Sequence, residues 1–202
     1  KTFFSRAKRV TIKNGIDCDF FKQTESQFRK RYNIENKFVV LGMGNKWCNP
    51  LNADAIEFFK MQYDSEVVLV IAGCSEIKKA NWDGNILYLP YTQNQKDLRD
   101  IYSMADVFVN CTREESLSLV NIEAQACGTP VITYANTGVK ETVDGKSGFL
   151  VKTGDYKTLF CMVNRVRQNG KKIYSAACRK YVAENFDKDC NYLKYIKLYK
   201  KL

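Results

Sequence analysis

Asp106-Val-Phe-Val-Asn110-Cys-Thr-Arg-Glu-Glu115-Ser-Leu-Ser-Leu-Val-Asn-Ile-Glu123-Ala-Gln-Ala-Cys-Gly128-Thr-Pro130-Val-Ile-Thr-Tyr134 holds two apolar runs on either side of a helical pattern. The run at 106–110 is continuous rather than alternating, as in a strand buried on both faces. Residues 118–127 read as a helix, closed by Gly128 before Pro130 opens a second strand over 130–134. Strand, helix, strand in this order is a parallel crossover. Glu115 then lies in the loop at the carboxyl edge of the first strand. Ser116 or Ser118 can cap the helix, and the free N–H groups from Ser118 to about Asn121 carry the positive end of its dipole. Glu123 sits about 7.5 Å further along the axis, at 1.5 Å per residue. A diphosphate on the helix end, with hydroxyl-rich groups reaching a carboxylate on each side, fits this layout. The spacing of the two glutamates alone carries little; the context supplies the information.

The same alternation extends outward. Further strands are predicted at 37–42, 66–72, 85–89 and 148–151, and helices at 50–62, 95–104 and 155–166, with two more at the C-terminus. This is an α/β pattern, a doubly wound Rossmann-like parallel sheet. In such sheets ligands bind beyond the carboxyl ends of the strands, which is where the loops at 42–49 and 111–119 fall. Three segments follow: a linker and lead-in at 1–36, the Rossmann-like domain at 37–186, and a C-terminal helix at 187–202. The last helix, around 192–202, mixes Lys194, Lys197, Lys200 and Lys201 with Leu193, Ile196 and Leu198. It suits packing on a neighbouring domain, with a membrane-surface helix as the alternative.

At 202 residues, 45% hydrophobic and with three prolines, the chain suits one domain with a substantial core rather than a disordered segment. It begins with Lys rather than Met and is expected to be a piece of a longer protein. The longest apolar run, 67–72, has the length of a strand and not of a membrane span. Eight cysteines form no CxxC and no zinc spacing, which points to reduced structural thiols in a cytoplasmic protein. There is no histidine, so imidazole chemistry must come from another chain or not at all. The formal net charge of +10 suits an anionic ligand or peripheral association with the inner face of a membrane. The basic residues are scattered and no nucleic-acid-reading motif is present, which argues against nucleic acid as a partner.

Four further segments accompany the Glu115/Glu123 motif: Ile12-Lys-Asn-Gly-Ile-Asp17, Asn85-Ile-Leu-Tyr-Leu-Pro-Tyr91, Leu98-Arg-Asp-Ile-Tyr-Ser-Met-Ala-Asp-Val-Phe-Val109 and Asp144-Gly-Lys-Ser-Gly-Phe-Leu-Val-Lys-Thr-Gly-Asp155. In this order and spacing the chain resembles, nearly end to end, the C-terminal domain of GT-B glycosyltransferases of family 4, also called glycosyltransferase group 1. The resemblance implies the C-terminal half of a GT-B fold and a nucleotide-diphosphate sugar as donor substrate. Glu115 would hold donor-sugar hydroxyls at the catalytic position, and Glu123 would hold the ribose. Backbone around Ser116, Leu117, Ser118, Leu119 and Val120 would meet the sugar and diphosphate, together with Gly44 and Lys46. Tyr91 lies in the segment that receives the nucleobase. Neither metal nor cofactor is implied, so Asp17-Cys-Asp19, which spells DxD, is expected to have no metal role.

Two departures stand out. Serines occupy positions 116 and 118, where the family places glycines. In the first strand-to-helix loop Lys46 stands for one of two expected cations, and the second falls at the uncharged Leu51. Losing one charge-assisted phosphate contact costs about 1.5–3 kcal/mol, roughly 10- to 150-fold in affinity, unless another cation such as Lys140 compensates. Gly42-Met-Gly44-Asn-Lys-Trp47 lacks the third glycine of a dinucleotide fingerprint, and no acidic residue ends the next strand, so NAD is not expected. The expected function is donor binding in a retaining hexosyltransferase whose N-terminal domain supplies the acceptor pocket; this piece alone would turn over little. The alternatives are a degenerate, non-catalytic structural or regulatory domain, or a related sugar-nucleotide epimerase.

Overall fold

The computed structural model describes residues 10–200. Seven strands form one sheet: β1 (Phe38–Met43), β2 (Val67–Ala72), β3 (Asn81–Asp83), β4 (Ile86–Leu89), β5 (Val107–Asn110), β6 (Val131–Tyr134) and β7 (Gly148–Val151). Their order is β3-β4-β2-β1-β5-β6-β7, and every neighbouring pair is parallel except β3 with β4. The helices are α1 (Phe28–Arg31), α2 (Gly44–Trp47), α3 (Ala53–Gln62), α4 (Gln95–Met104), α5 (Leu119–Ala126), α6 (Tyr156–Asn169), α7 (Lys172–Phe186) and α8 (Lys188–Tyr199). The α/β class and the parallel, doubly wound sheet are as the sequence implies. The chain winds outward from β1 through β2 and β4, then crosses back to β5 on the other side of β1. That reversal opens a crevice above the carboxyl ends of β1 and β5.

Alternate residues of each strand enter two apolar layers. Val39 and Leu41 face one side with Val68, Val70, Ile101, Ile122 and Phe186, from α4, α5 and α7. Val40 faces the other with Leu69, Ile71, Phe59, Phe160 and Val163, from α3 and α6. All six residues of β2 are buried, which explains their unbroken apolar character. Each such aliphatic side chain contributes about 1.5–3 kcal/mol on burial.

Local chemistry sets several boundaries differently from expectation. Asn49 Oδ1 accepts the Leu51 N–H at 2.9 Å and caps a 3-10 turn over Pro50–Asn52, so the helix expected from residue 50 begins only at Ala53. The antiparallel edge strand β3 and the short helices α1 and α2 were not anticipated. β3 is exposed throughout and turns back into β4 through Gly84, at φ +59°. α6 runs on to Asn169, and the last helix begins at Lys188, behind an Asp187 cap that accepts the Cys190 N–H at 2.9 Å. Residues 1–9 of the lead-in, and Lys201 and Leu202 of the last helix, lie outside the described residues.

The lead-in packs on the sheet domain, burying Ile16, Phe21 and Ile34 in the core. Ile16 accepts from Lys188 N–H at 3.0 Å and donates to Phe186 O at 2.8 Å, bridging Asp187 in parallel. A Cβ on Gly15 would stand 2.5 Å from Lys188 Cα, so only glycine permits this approach. The Asp17-Cys18-Asp19 stretch is a turn: Asp17 accepts the Asp19 and Phe20 N–H groups and pairs with Lys188 at 2.6 Å. Lys188 holds the Asp17 carboxyl below its ordinary range. On α8 only Asn191 is buried, while Tyr192, Leu193, Ile196 and Tyr199 are exposed.

Candidate functional site

Trp47 organises one wall of the crevice. It is fully buried, and its Nε1 donates to Val109 O at 3.0 Å, tying α2 to β5. A Cβ on Gly42 would stand 2.0 Å from Trp47 Nε1; the glycine exists to admit the indole. The interrupted dinucleotide fingerprint is therefore a packing pair. Trp47 also holds α2 at the rim, where the half-buried Lys46 lines the crevice. Asn52 Nδ2 donates to Lys46 O at 2.9 Å and to Cys111 O at 3.3 Å, joining the two strand-end loops.

A buried polar network fixes the other wall. Asn110 Nδ2 donates to Ser118 Oγ and to Asn121 Oδ1, both at 2.9 Å, and its Oδ1 accepts the Thr112 N–H at 3.0 Å. Asn121 Nδ2 continues to Thr142 Oγ1 at 2.9 Å, and Gln125 Nε2 to Thr142 O at 2.7 Å. Asn110 and Asn121 are paired through both side-chain atoms, which favours one arrangement, whereas Gln125 Oε1 has no partner among the described residues. Ser118 occupies the N-cap of α5, but its hydroxyl accepts from Asn110 and makes no capping bond to the helix; Ser116 is exposed. The expected serine cap is thus replaced by a strand-end asparagine. Leu119 and Val120 keep N–H groups with no protein acceptor among the described residues, at the positive end of the α5 dipole.

The loop after β6 braces this edge from above. Asn136 Nδ2 donates to Thr112 O at 2.7 Å, and Thr137 Oγ1 to Glu115 O at 2.6 Å. A Cβ on Gly138 would lie 1.6 Å from Ser116 O, so the two loops are in direct backbone contact.

Between the walls is a cavity of about 260 Å³, lined by Met43, Lys46, Gly73, Tyr91, Tyr102, Glu115 and Val120 among others. It brings together Lys46, Glu115, Val120 and Tyr91 of the residues picked out by sequence. Glu115 Oε2 is buried there with no hydrogen-bond partner. An unpaired buried carboxylate oxygen is expensive, and a ligand hydroxyl would satisfy it. Tyr91, 59% exposed, rests its ring beside Gly73, whose φ is +83°. Glu123 is not on this wall. It accepts from Tyr102 Oη at 3.0 Å, and Tyr102 itself lines the cavity. Burial raises the Glu123 pKa above its ordinary value, opposed by the Tyr102 hydrogen bond. Burial, with the Glu123 charge beside it, pushes the Tyr102 phenol well above its ordinary range, so Tyr102 acts as a donor. Gly44 lines a neighbouring cavity with Cys48 and Cys74, and a Cβ there would meet Gly73 O at 2.6 Å. Leu117 is half-buried and Leu119 39% exposed; neither lines the cavity. Lys140, considered as a substitute cation, lies on the 3-10 turn Val139–Thr142, away from this cavity's wall.

Sequence reasoning missed Tyr102, Asn110, Asn121 and the brace at 136–138. Asn110 had a visible signal, an amide ending an otherwise apolar strand. The brace had none, since its contacts cross more than twenty residues. Among the described residues no group of three or more His, Cys, Asp or Glu side chains is placed to hold a metal. All eight cysteines are free; four are buried, whereas Cys48, Cys161 and Cys190 are exposed rather than core residues.

Residues 22–184 match the family described as Glycosyl transferases group 1. The capsular polysaccharide biosynthesis glycosyltransferase CapM of Staphylococcus aureus is 29% identical over 157 residues, 72% of this chain and 41% of that protein. The putative glycosyltransferase YtcC of Bacillus subtilis is 33% identical over 169 residues, 69% of this chain and 41% of its own. The chain thus spans about two fifths of these relatives. Among solved structures, sucrose-phosphate synthase from Thermosynechococcus elongatus superposes with a TM-score of 0.76 at 22% identity, over 98% of this chain and 54% of that one. Anabaena Alr3699/HepE in complex with UDP-glucose gives 0.74 at 18% identity, over 95% and 57%. The fold is that of the C-terminal half of GT-B glycosyltransferases, and the chain belongs to the group 1 glycosyltransferase family.

Proposed function

We propose that this chain is the donor-binding domain of a retaining hexosyltransferase, taking its sugar from a nucleotide-diphosphate donor. The observation that carries the reading is the cavity at the sheet crossover, where the unpartnered Glu115 Oε2, Lys46 and the α5 N-terminus converge. In this reading Glu115 accepts from the donor-sugar hydroxyls, Lys46 and the Leu119 and Val120 N–H groups bind the diphosphate, Glu123 takes the ribose and Tyr91 flanks the base. In the transfer, the acceptor hydroxyl oxygen forms a bond to the anomeric carbon as the bond to the diphosphate oxygen breaks. The electron pair departs with the diphosphate, which Lys46 and the helix end stabilise, and the hydroxyl proton leaves with it or to a base. No metal is needed for this electrostatic work. Three solved structures of Anabaena Alr3699/HepE are described as complexes with UDP and glucose, UDP-glucose or UDP, which supports a nucleotide-sugar ligand.

The acceptor site belongs to an N-terminal domain, and the exposed apolar residues of α8 suit contact with it. No helix among the described residues is long and apolar enough to cross a membrane. The formal net charge of +10 suits a cytoplasmic enzyme that meets anionic lipid peripherally. A second reading, a non-catalytic domain, draws on the uncharged, 64% exposed Leu51 in the position where a cation is expected.

Calorimetric titration with UDP, GDP, ADP and their hexose conjugates tests the proposal, with Lys46→Ala and Glu123→Ala as controls. Saturable binding of one nucleotide class, weakened at least tenfold by each substitution, is expected. A folded chain that binds none at millimolar concentration would overturn it.

A further inference from the structure

Beside the cavity that holds Glu115 lies a second, of about 420 Å³, between the turn at 49–52 and the loop at 111–114. Lys46 lines both, so the two cavities adjoin at this residue. On the far wall stands Arg113, whose guanidinium donates through one terminal nitrogen to Leu51 O at 2.9 Å. The other terminal nitrogen is about one van der Waals contact from Gly154, where a Cβ would approach to 3.5 Å. An Arg has five N–H donors in a planar fork, and one here is occupied. Among the described residues neither Lys46 nor Arg113 has a carboxylate within 4.0 Å. Glu114 lines the same cavity and leaves Arg113 unpaired. Asn52, 4% exposed, contributes a buried Oδ1 without partner, its amide nitrogen being committed to Lys46 O and Cys111 O. Two cations with no carboxylate partner among the described residues face one polar space and suit an anion there, while Asn52 Oδ1 needs a donor such as a water of hydration.

We infer that Arg113 is the second cation of the diphosphate subsite, delivered from the β5–α5 loop to the place where Leu51 carries no charge. The inference rests on the proposed donor-binding function. Lys46 and Arg113 approach the diphosphate from opposite strand-end loops, and the carbonyl of Leu51 itself fixes the guanidinium. The uncharged side chain at position 51 is then a relocation of charge and no sign of decay.

The test compares Arg113→Gln, Arg113→Lys and Leu51→Lys, each folded by circular dichroism. Each is titrated with whichever of UDP, GDP or ADP the wild-type chain binds, and with the matching nucleoside by competition. Arg113→Gln is expected to weaken the nucleoside diphosphate by about 10- to 150-fold and the nucleoside by less than about twofold. Arg113→Lys should recover part of the loss, and adding Leu51→Lys to Arg113→Gln most of it. In the wild-type background Leu51→Lys should gain less than about threefold, because the charge is already supplied. A gain of tenfold or more would overturn the inference, as would unchanged diphosphate affinity in Arg113→Gln. Equal losses for diphosphate and nucleoside would reduce Arg113 to a brace for the turn at 49–52, again overturning it. Absence of nucleotide binding by the wild-type chain defeats the donor-binding reading and this inference together; the other outcomes separate them.

Discussion

Gly138→Ala isolates the brace over the Glu115 cavity. Gly138 has φ −80°, which alanine adopts freely, so the substitution carries no backbone penalty. In an open loop it would stabilise by about 0.4–1 kcal/mol through the unfolded chain. Here the added Cβ would lie 1.6 Å from Ser116 O, where contacts under 3.0 Å are essentially never seen, so the loops must part by about 1.4 Å. That movement loosens the 2.6 Å Thr137 bond to Glu115 O, worth about 1 kcal/mol. Overpacking adds about 1–3 kcal/mol. The larger effect falls on binding, because Ser116 lies between Glu115 and the amides of Leu119 and Val120. A shift of this size at positioning groups is expected to lower nucleotide affinity by about 10- to 100-fold. Calorimetry and thermal unfolding on the same samples read both effects. Gly145→Ala serves as control, since its site is open and its φ is +79°; it should cost stability and leave affinity alone. A Gly138→Ala protein as stable as wild type, with affinity within twofold, would refute the steric reasoning.

Three further outcomes follow from the site. Burial raises the Glu123 pKa, so the folded chain holds this proton more firmly than the unfolded chain, and ionised Glu123 lowers stability near neutrality. Glu123→Gln should therefore raise Tm at pH 7, with the advantage fading as pH falls through the raised pKa and gone below the ordinary 4.5; nucleotide affinity should fall. Trp47→Phe deletes the donor to the buried Val109 O, and should lower Tm by about 2–12 °C, from about 1–3 kcal/mol at about 2–4 °C each. In thiol titration at pH 8, Cys48 and Cys161 should react first and Cys190, held up by Asp187, later; Cys74, Cys127 and Cys178, with burial pushing each to about 12, should wait for unfolding. Fast reaction of more than three thiols in the native chain would contradict the burial pattern.

The parts of the fold legible in sequence are those that local chemistry determines. Strands β2 and β5 announce themselves by unbroken apolar runs, α4 begins behind the Asn94 side chain and α6 behind that of Asp155, and Gly128 takes a left-handed φ of +74° after α5. Edge strand β3 escapes because three exposed residues paired on one side carry no periodic signal. Of the residues lining the crevice, Glu115 could be placed in sequence because strand ends fix where loops fall, and Lys46 was singled out through the family resemblance. The Asn110 network, the Tyr102–Glu123 bond and the Arg113–Leu51 contact were not, because each joins residues from different elements. Trp47 shows the difference well: in sequence it spoils a glycine pattern, whereas in the fold it is the reason that Gly42 has no side chain.

The clasp between Gly15–Ile16 and Asp187–Lys188 also has a mechanical meaning. The chain enters the sheet domain and departs into α8 through two strands of backbone joined by paired hydrogen bonds. Two tethers side by side make a hinge with one stiff axis, whereas a single tether would swivel. α8 is thereby seated against the lead-in at the Gly15 contact. The glycine that admits Lys188 thus acts as a bearing, setting how tightly the lever α8 is seated on its pivot.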